Sequence, residues 1–105
     1  MANNKSNAYR SRKVWDKTQG VCAHCGKTPS SRCRTVDHFI PRSDGGGYDS
    51  RNLFPLCRQC NAMRGSNPID PISFYPYATP TMIQECLEYK EDFISLRRSM
   101  DGTVY

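Results

Sequence analysis

Apolar residues are sparse in the first third of the chain, and their spacing there predicts a single helix. Tyr9, Val14 and Trp15 recur at helical spacing, which predicts a helix over residues 9–18 that a following glycine ends. Residues 1–8 are polar and show no such periodicity. The sequence therefore predicts a disordered tail for them.

The middle of the chain, residues 21–65, is rich in turn-forming residues and predicts two short strands followed by a helix. Residues 34–39 fit a short strand that a proline ends, and residues 52–56 fit a second extended piece. Between the two lies a flexible loop with three consecutive glycines. A helix is expected to start near Arg58 and to stop by Gly65.

Residues 66–80 contain four prolines and three aromatic residues, which predicts an ordered connector rather than a free linker. Its aromatic side chains, Phe74, Tyr75 and Tyr77, are expected on the domain surface. A proline in the first turn marks a helix that begins near residue 80 and runs to about Arg98. We interpret its apolar stripe as packing against the domain, with a dimer interface as the alternative. The stripe comprises Met82, Ile83, Cys86, Leu87, Tyr89, Phe93, Ile94 and Leu96.

Composition limits the size and class of the protein. With 105 residues, 37% of them hydrophobic, and a mean hydropathy of −0.71, the chain predicts one small domain over residues 9–66. Residues 67–105 are then the connector and the helix that packs on that domain. No apolar run suits a membrane span or a signal peptide, so we expect a cytoplasmic protein without membrane contact.

Charge points to a polyanionic partner. The net charge is +5, and the excess of basic residues lies within the first 65 positions, whereas the remainder is acidic on balance. A basic face beside candidate functional residues is typical of proteins that contact the phosphates of nucleic acids. A merely solvated basic face is the alternative, and thiolates on a metal ion would offset part of this charge.

Four cysteines form two C-x-x-C pairs, Cys22 with Cys25 and Cys57 with Cys60. Each pair can present two sulfurs to one ion from a tight turn, and two such pairs complete a tetrahedron around zinc. A site closed by four sulfurs leaves no position for water, so this Zn²⁺ is expected to be structural. A disulfide framework is the alternative, which the expected intracellular compartment disfavours.

The residues between and after the cysteine pairs follow a recognisable order. They are a D-H strand at Asp37 and His38, a GG loop, an N-L turn at Asn52, and a C-x-x-C-N-x-x-R helix that includes Asn61 and Arg64. Over residues 21–65 this series resembles the HNH endonuclease family. The resemblance implies an α+β fold: a small zinc-stapled ββα-metal (HNH) domain, here with flanking N- and C-terminal helices. Small HNH proteins of this kind resemble those encoded by bacteriophages and other mobile elements.

The chemistry of phosphodiester hydrolysis explains these residue types. His38 suits the general base that activates water, because imidazole titrates near neutral pH. Asp37 and Asn61 offer oxygen ligands, which suit Mg²⁺ or Mn²⁺ acting as a Lewis acid on the phosphate. Neighbouring side chains on a regular strand point to opposite faces. Asp37 and His38 can therefore serve one site only if the strand twists or ends there.

Three further residues take roles that the resemblance implies. Asn52 matches the middle asparagine of the family, which orients the general base and ties down the loop; a turn residue is the alternative. Asn61 stands where the family often has its last histidine, which makes Asp37 more important as a ligand. Arg64 matches the basic position, and Arg64 and Arg42 are candidates for contacts to DNA phosphates. Either arginine could equally be a solvated surface charge.

The sequence thus predicts a metal-dependent DNA endonuclease. The alternative is a zinc-stabilised nucleic-acid-binding module without nuclease activity, and RNA stays open as a substrate because phosphate contacts look alike. One ββα site cuts one strand, so a monomer would nick DNA and a homodimer would break both strands. No element suited to base recognition is evident, which favours low sequence specificity or a targeting protein as partner.

Overall fold

The computed structural model describes the backbone of residues 2–100 and the side chains of residues 8–97. Its elements in chain order are helix α1 (Ala2–Asp16), strands β1 (Arg34–His38) and β2 (Leu53–Cys57), and helices α2 (Arg58–Arg64), α3 (Pro71–Phe74) and α4 (Pro80–Met100). Short 3-10 turns precede and follow β1, and another precedes β2. The expected α+β class is confirmed, with β1, β2 and α2 as a ββα unit flanked by helices.

The sheet has two antiparallel strands, with Arg34 opposite Cys57 at one end and His38 opposite Leu53 at the other. Every residue of β2 is buried, because this apolar strand lies between β1 and the helices α1 and α2. Strand β1 is half-exposed apart from Asp37, which is buried. The end of β1 thus brings a buried carboxylate and a half-buried histidine to the same edge of the domain.

Helix α1 is fixed to the sheet by its last turn. Val14 and Trp15 are buried, and Trp15 Nε1 donates a hydrogen bond of 2.9 Å to the carbonyl of Thr35 on β1. Helix α1 includes residues 2–8, for which the sequence predicted a disordered tail, and residue 1 lies outside the described residues. The segment contains no proline or glycine, and a helix whose last turn is anchored extends easily through such residues.

The connector is more deeply packed than the sequence suggested. Tyr75 is only 1% exposed, and its ring stacks on Phe54 at a centroid distance of 3.8 Å. The expectation that Tyr75 lies on the surface is therefore wrong, whereas Tyr77 is 55% exposed. The cause is the short helix α3, capped by Asp70, which turns the chain back so that the following aromatic ring enters the core.

Helix α4 packs against the domain through part of its apolar stripe. Met82, Cys86 and Tyr89 are buried, whereas Leu87 and Leu96 are exposed. The buried side contacts the 3-10 turn before β2. None of the helices that the structure describes is both long and apolar enough to cross a membrane.

Candidate functional site

The two cysteine pairs meet at one point beside the sheet. The sulfur atoms of Cys22, Cys25, Cys57 and Cys60 all lie within 4.8 Å of one another, and none of them is in a disulfide. Four Zn–S bonds of about 2.3 Å in a tetrahedron place sulfurs about 3.8 Å apart, which is close to this arrangement. The four ligand atoms are all sulfur, and together they would fill every position of a tetrahedral zinc ion. The four residues therefore fit a structural zinc ion rather than a catalytic one.

Backbone groups shape the first cysteine loop for a metal ion. Gly26 has a φ of +79°, and its N–H donates to the carbonyl of Cys22 at 3.0 Å. The N–H of Cys57 donates to the Cys22 sulfur at 3.3 Å. Burial disfavours the Cys22 thiolate, but the N–H groups of Cys25, Cys57 and His24 outweigh it and lower the pKa of Cys22. Such donors stabilise the thiolate that metal binding requires.

A pocket of about 190 Å³ lies between the end of β1, the turn after it, and helix α2. Four of the expected site residues, Asp37, His38, Arg42 and Asn61, line this pocket together. The strand ends at His38, which satisfies the condition that Asp37 and His38 can serve one site. The fold therefore assembles the residues that the sequence singled out for catalysis and metal binding.

His38 is half-buried and its ring contacts Tyr48 edge-on, with centroids 5.0 Å apart. Burial lowers the pKa of His38, and the charges of nearby Arg42 and Arg64 act in the same direction, whereas Asp37 raises it. The lowered pKa favours the neutral imidazole, which is the form that can accept a proton. Its Nε2 atom is buried without a hydrogen-bond partner in the described part of the chain.

Asp37 is held from two sides. The hydroxyl of Tyr75 donates to Oδ2 at 2.6 Å, and Arg64 Nη1 donates to the same oxygen at 2.8 Å. Burial raises the pKa of Asp37, and the hydrogen bond from Tyr75 and the charge of Arg64 oppose that rise. Both bonds converge on one oxygen, so the carboxylate has a fixed orientation at the pocket wall.

Arg64 is a buried structural residue, which corrects its expected role as a DNA contact. Its side chain has no exposed surface and forms an ion pair with Asp37. The guanidinium also donates to the carbonyls of His38 and Phe39, at 2.6 and 2.8 Å, and to the carbonyl of Asn67 at 3.1 Å. The planar guanidinium carries five N–H donors. It can therefore satisfy backbone carbonyls at the end of a strand, where no neighbouring strand donates hydrogen bonds to them.

Asn61 is oriented by a short hydrogen-bonded chain. The Thr35 hydroxyl gives its hydrogen to the carbonyl of Leu56 at 2.7 Å, so its oxygen can only accept from Asn61. Asn61 Nδ2 donates to that oxygen at 2.7 Å. The amide orientation is thereby fixed, and Oδ1 is the atom of Asn61 suited to a hard cation.

The family model described as HNH endonuclease matches residues 22–67. This segment contains the four cysteines, both strands, helix α2 and every residue that lines the 190 Å³ pocket. Residues 22–67 are thus similar to the HNH endonuclease family. The flanking helices α1 and α4 lie outside the matched HNH segment.

Two similar proteins are much longer than this chain. The CRISPR-associated endonuclease Cas9 of Corynebacterium diphtheriae is 35% identical over 48 residues, which are 45% of this chain and 4% of that protein. The crystal structure of the type II-C Cas9 enzyme from Actinomyces naeslundii matches with a TM-score of 0.50 and 23% identity, over 56% of this chain and 6% of that chain. The second likeness shows a shared fold. This chain spans only a small fraction of the length of either relative.

Within the HNH segment, Asn52 is buried and is not among the residues that line the pocket. Its Oδ1 accepts from the N–H of Ile40 at 2.8 Å, and its Nδ2 donates to the carbonyls of Ile40 and Gly47, each at 3.1 Å. These bonds join the end of β1 to the glycine loop, as the loop-tying role requires. These contacts fit the loop-tying role that the sequence predicted for Asn52, and its part in orienting the general base stays a prediction.

Sequence reasoning missed two aromatic residues beside the HNH pocket. Tyr75 was assigned to the surface, and no local signal marks it as the partner of Asp37. Tyr48, next to the glycine run, contacts His38 and lies 5.3 Å from the guanidinium carbon of the exposed Arg42. The position of Tyr48 in the sequence, directly after the glycine loop that follows the D-H strand, could have indicated that its ring lies near His38.

Proposed function

We propose that this chain is a metal-dependent endonuclease that hydrolyses phosphodiester bonds in DNA. The observation that carries the proposal is the meeting of His38, Asp37 and Asn61 in one pocket, where burial lowers the pKa of the histidine. The similarity of residues 22–67 to the HNH endonuclease family supports the reaction class. Cleavage of DNA by this chain is the step that the proposal adds.

His38 acts as the general base. Its neutral imidazole accepts a proton from water, and Nε2 forms no hydrogen bond with any described residue, so this nitrogen is not committed to another partner. Burial keeps the free imidazole unprotonated, so the base is ready before substrate binds. The edge-on contact with Tyr48 limits rotation of the ring.

The pocket fits a hard divalent cation better than a soft one. Asp37 offers a carboxylate and Asn61 an amide oxygen, and oxygen donors suit Mg²⁺ or Mn²⁺. When bound, the ion supplies Lewis-acid stabilisation to the phosphate and to the departing oxygen. Tyr75 and Arg64 orient the Asp37 carboxylate, and Thr35 orients the Asn61 amide. The four-cysteine site holds Zn²⁺ for folding.

The proposal is tested with supercoiled plasmid and zinc-loaded protein, with added Mg²⁺ or Mn²⁺ and without either. We expect metal-dependent conversion to open-circle DNA, because one site cuts one strand, and loss of conversion in His38→Ala. His24→Ala is the matched control: it also removes a histidine, but its ring nitrogen bonds the carbonyl of Phe74 outside the pocket. Direct conversion to linear DNA would indicate a homodimer.

A contrary result would favour the second function. Absence of cleavage with every metal, together with retained salt-sensitive DNA binding, would indicate a zinc-stabilised nucleic-acid-binding module. Cleavage that survives in folded His38→Ala protein would instead remove His38 from the mechanism and leave the nuclease class intact.

A further inference from the structure

Tyr48 directly follows the glycine run and is 46% exposed, and its ring contacts that of His38, which lines the pocket. The guanidinium carbon of Arg10, on helix α1, is 4.5 Å from the centroid of this ring. The guanidinium carbon of Arg42, from the turn after β1, is 5.3 Å from the same centroid. Two cations from distant parts of the chain thus share one aromatic ring, which itself touches His38.

Cation–π contacts hold a guanidinium in place without neutralising its charge. Among the described residues no carboxylate forms an ion pair with Arg42. The positive charge of Arg42 attracts an anion to the Tyr48 ring, and the guanidinium of Arg10 lies at the same ring. Planar guanidinium groups match the oxygens of a phosphate especially well.

From this arrangement we infer that Arg10, Tyr48 and Arg42 form a phosphate-binding site that holds a backbone phosphate next to the scissile one. Arg42 lines the pocket, and Tyr48 contacts His38, so an anion held by this tyrosine–arginine cluster lies beside the reacting phosphate. The inference rests on the proposed nuclease function. It also assigns helix α1, which is outside the matched HNH segment, a part in substrate binding.

Binding measurements test the cluster independently of cleavage. A labelled DNA duplex is titrated with zinc-loaded His38→Ala protein at several salt concentrations, in buffer without Mg²⁺ or chelator. Adding Arg10→Ala or Arg42→Ala should weaken binding and reduce the slope of log K against log[salt] by about 0.9, the value for one lost phosphate contact on duplex DNA. Tyr48→Ala should weaken binding, and Tyr48→Phe should not, because the ring face is retained.

Arg12→Ala is the matched control for Arg10→Ala. Arg12 is an exposed residue on the same helix, so the two variants change the net charge and the long-range field alike. We expect Arg12→Ala to retain the salt slope of the parent. Equal slopes for Arg10→Ala and Arg12→Ala would overturn the inference, and so would a Tyr48→Ala protein that binds as tightly as Tyr48→Phe.

A second measurement identifies the phosphate itself. Neutral methylphosphonates are placed one at a time along the DNA strand, and binding is compared between the parent and Arg10→Ala. One flanking position should weaken binding to the parent and have no further effect on Arg10→Ala, since that variant has already lost the contact. Melting temperatures of the variants equal to that of the parent exclude unfolding as the cause of weaker binding. Arg10→Lys keeps the positive charge but loses the planar guanidinium, so it separates the two contributions.

The outcomes separate the two proposals. Salt slopes that change as expected in a chain whose unmutated form never cleaves would support the phosphate site and remove the nuclease function. Cleavage by the unmutated chain with unchanged slopes in Arg10→Ala would retain the nuclease and reject the phosphate site.

Discussion

The hydroxyl of Tyr75 donates a hydrogen bond of 2.6 Å to Oδ2 of Asp37, across a sequence separation of 38 residues. The ring of Tyr75 stacks on Phe54 in the core, and this packing fixes the position of the hydroxyl next to the carboxylate. Asp37 is a proposed ligand of the catalytic cation, and groups that orient a ligand in this way contribute strongly to metal affinity without touching the ion. The connector after α2 is therefore part of the site, although its tyrosine lies outside the matched segment.

Tyr75→Phe should retain the fold and weaken binding of the catalytic cation. The ring and its stacking remain, so the loss of stability is expected to be about 1.5–3 kcal/mol, the value of one hydrogen bond to a charged group. Loss of the oriented carboxylate should weaken Mn²⁺ binding roughly 10- to 100-fold, measured by calorimetry on zinc-loaded protein. Tyr77→Phe is the matched control, because Tyr77 is exposed and its hydroxyl forms no hydrogen bond with described residues. Equal Mn²⁺ affinities in the two variants would remove Tyr75 from the site.

Arg64→Ala should be strongly destabilising, whereas Arg42→Ala should not. Removing Arg64 leaves the buried Asp37 carboxylate without its cation, and breaking a buried pair costs roughly 3–5 kcal/mol. Arg42 is exposed, so its replacement should change the free energy of unfolding by less than about 0.5 kcal/mol. Urea unfolding of the two zinc-loaded variants provides the comparison. An Arg64→Ala protein as stable as the parent would contradict the structural role assigned to this guanidinium.

Zinc removal should unfold the protein, whereas Mg²⁺ removal should stop cleavage and leave the fold intact. The four clustered sulfurs bind the cation as thiolates, which would repel one another without it, and a structural zinc contributes roughly 10 kcal/mol or more. Circular dichroism with a zinc-selective chelator, and elemental analysis for one zinc per chain, check this.

Cys22→Ser should lose the metal and the fold. Cys33→Ser should lose neither, because Cys33 is outside the cluster; a folded, zinc-free Cys22→Ser protein would reject the structural assignment.

Sequence patterns correctly predicted those features of the fold that depend on residues close together in the chain. The strand that ends at His38, the helix that starts at Arg58 and the two C-x-x-C turns each depend on a few neighbouring residues. Their positions, together with the order of the motifs, were sufficient to place Asp37, His38 and Asn61 around one pocket.

The parts that sequence reasoning missed depend on packing between distant segments. Arg64 is a charged residue on a short helix, and only the tertiary fold shows that this helix turns it inward beneath β1. Tyr75 enters the core because α3 reverses the chain, and Arg10 reaches Tyr48 because Trp15 fixes α1 on the sheet. No pattern within a few residues encodes these contacts.

The glycine loop provides a test with a built-in control, because its neighbouring glycines differ in the space around them. A Cβ atom on Gly46 would lie 1.8 Å from the carbonyl oxygen of Ile40, a contact that the backbone can relieve only by moving. The same addition to Gly47 would meet nothing closer than the Tyr89 hydroxyl at 3.7 Å. Moving the loop from Ile40 would break the hydrogen bonds through which Asn52 ties it to the end of β1.

Gly46→Ala should therefore lower both stability, by about 1–3 kcal/mol, and the rate of plasmid cleavage. Gly47→Ala should resemble the parent in both measurements. Asn52→Ala should act like Gly46→Ala, because it disrupts the same junction from the opposite side and leaves buried backbone groups of Ile40 without partners. If Gly46→Ala and Gly47→Ala melt at the same temperature and cleave equally fast, the loop does not depend on close contact with Ile40. Slow cleavage with unchanged melting in Gly46→Ala alone would show that the junction positions His38 rather than supporting the fold.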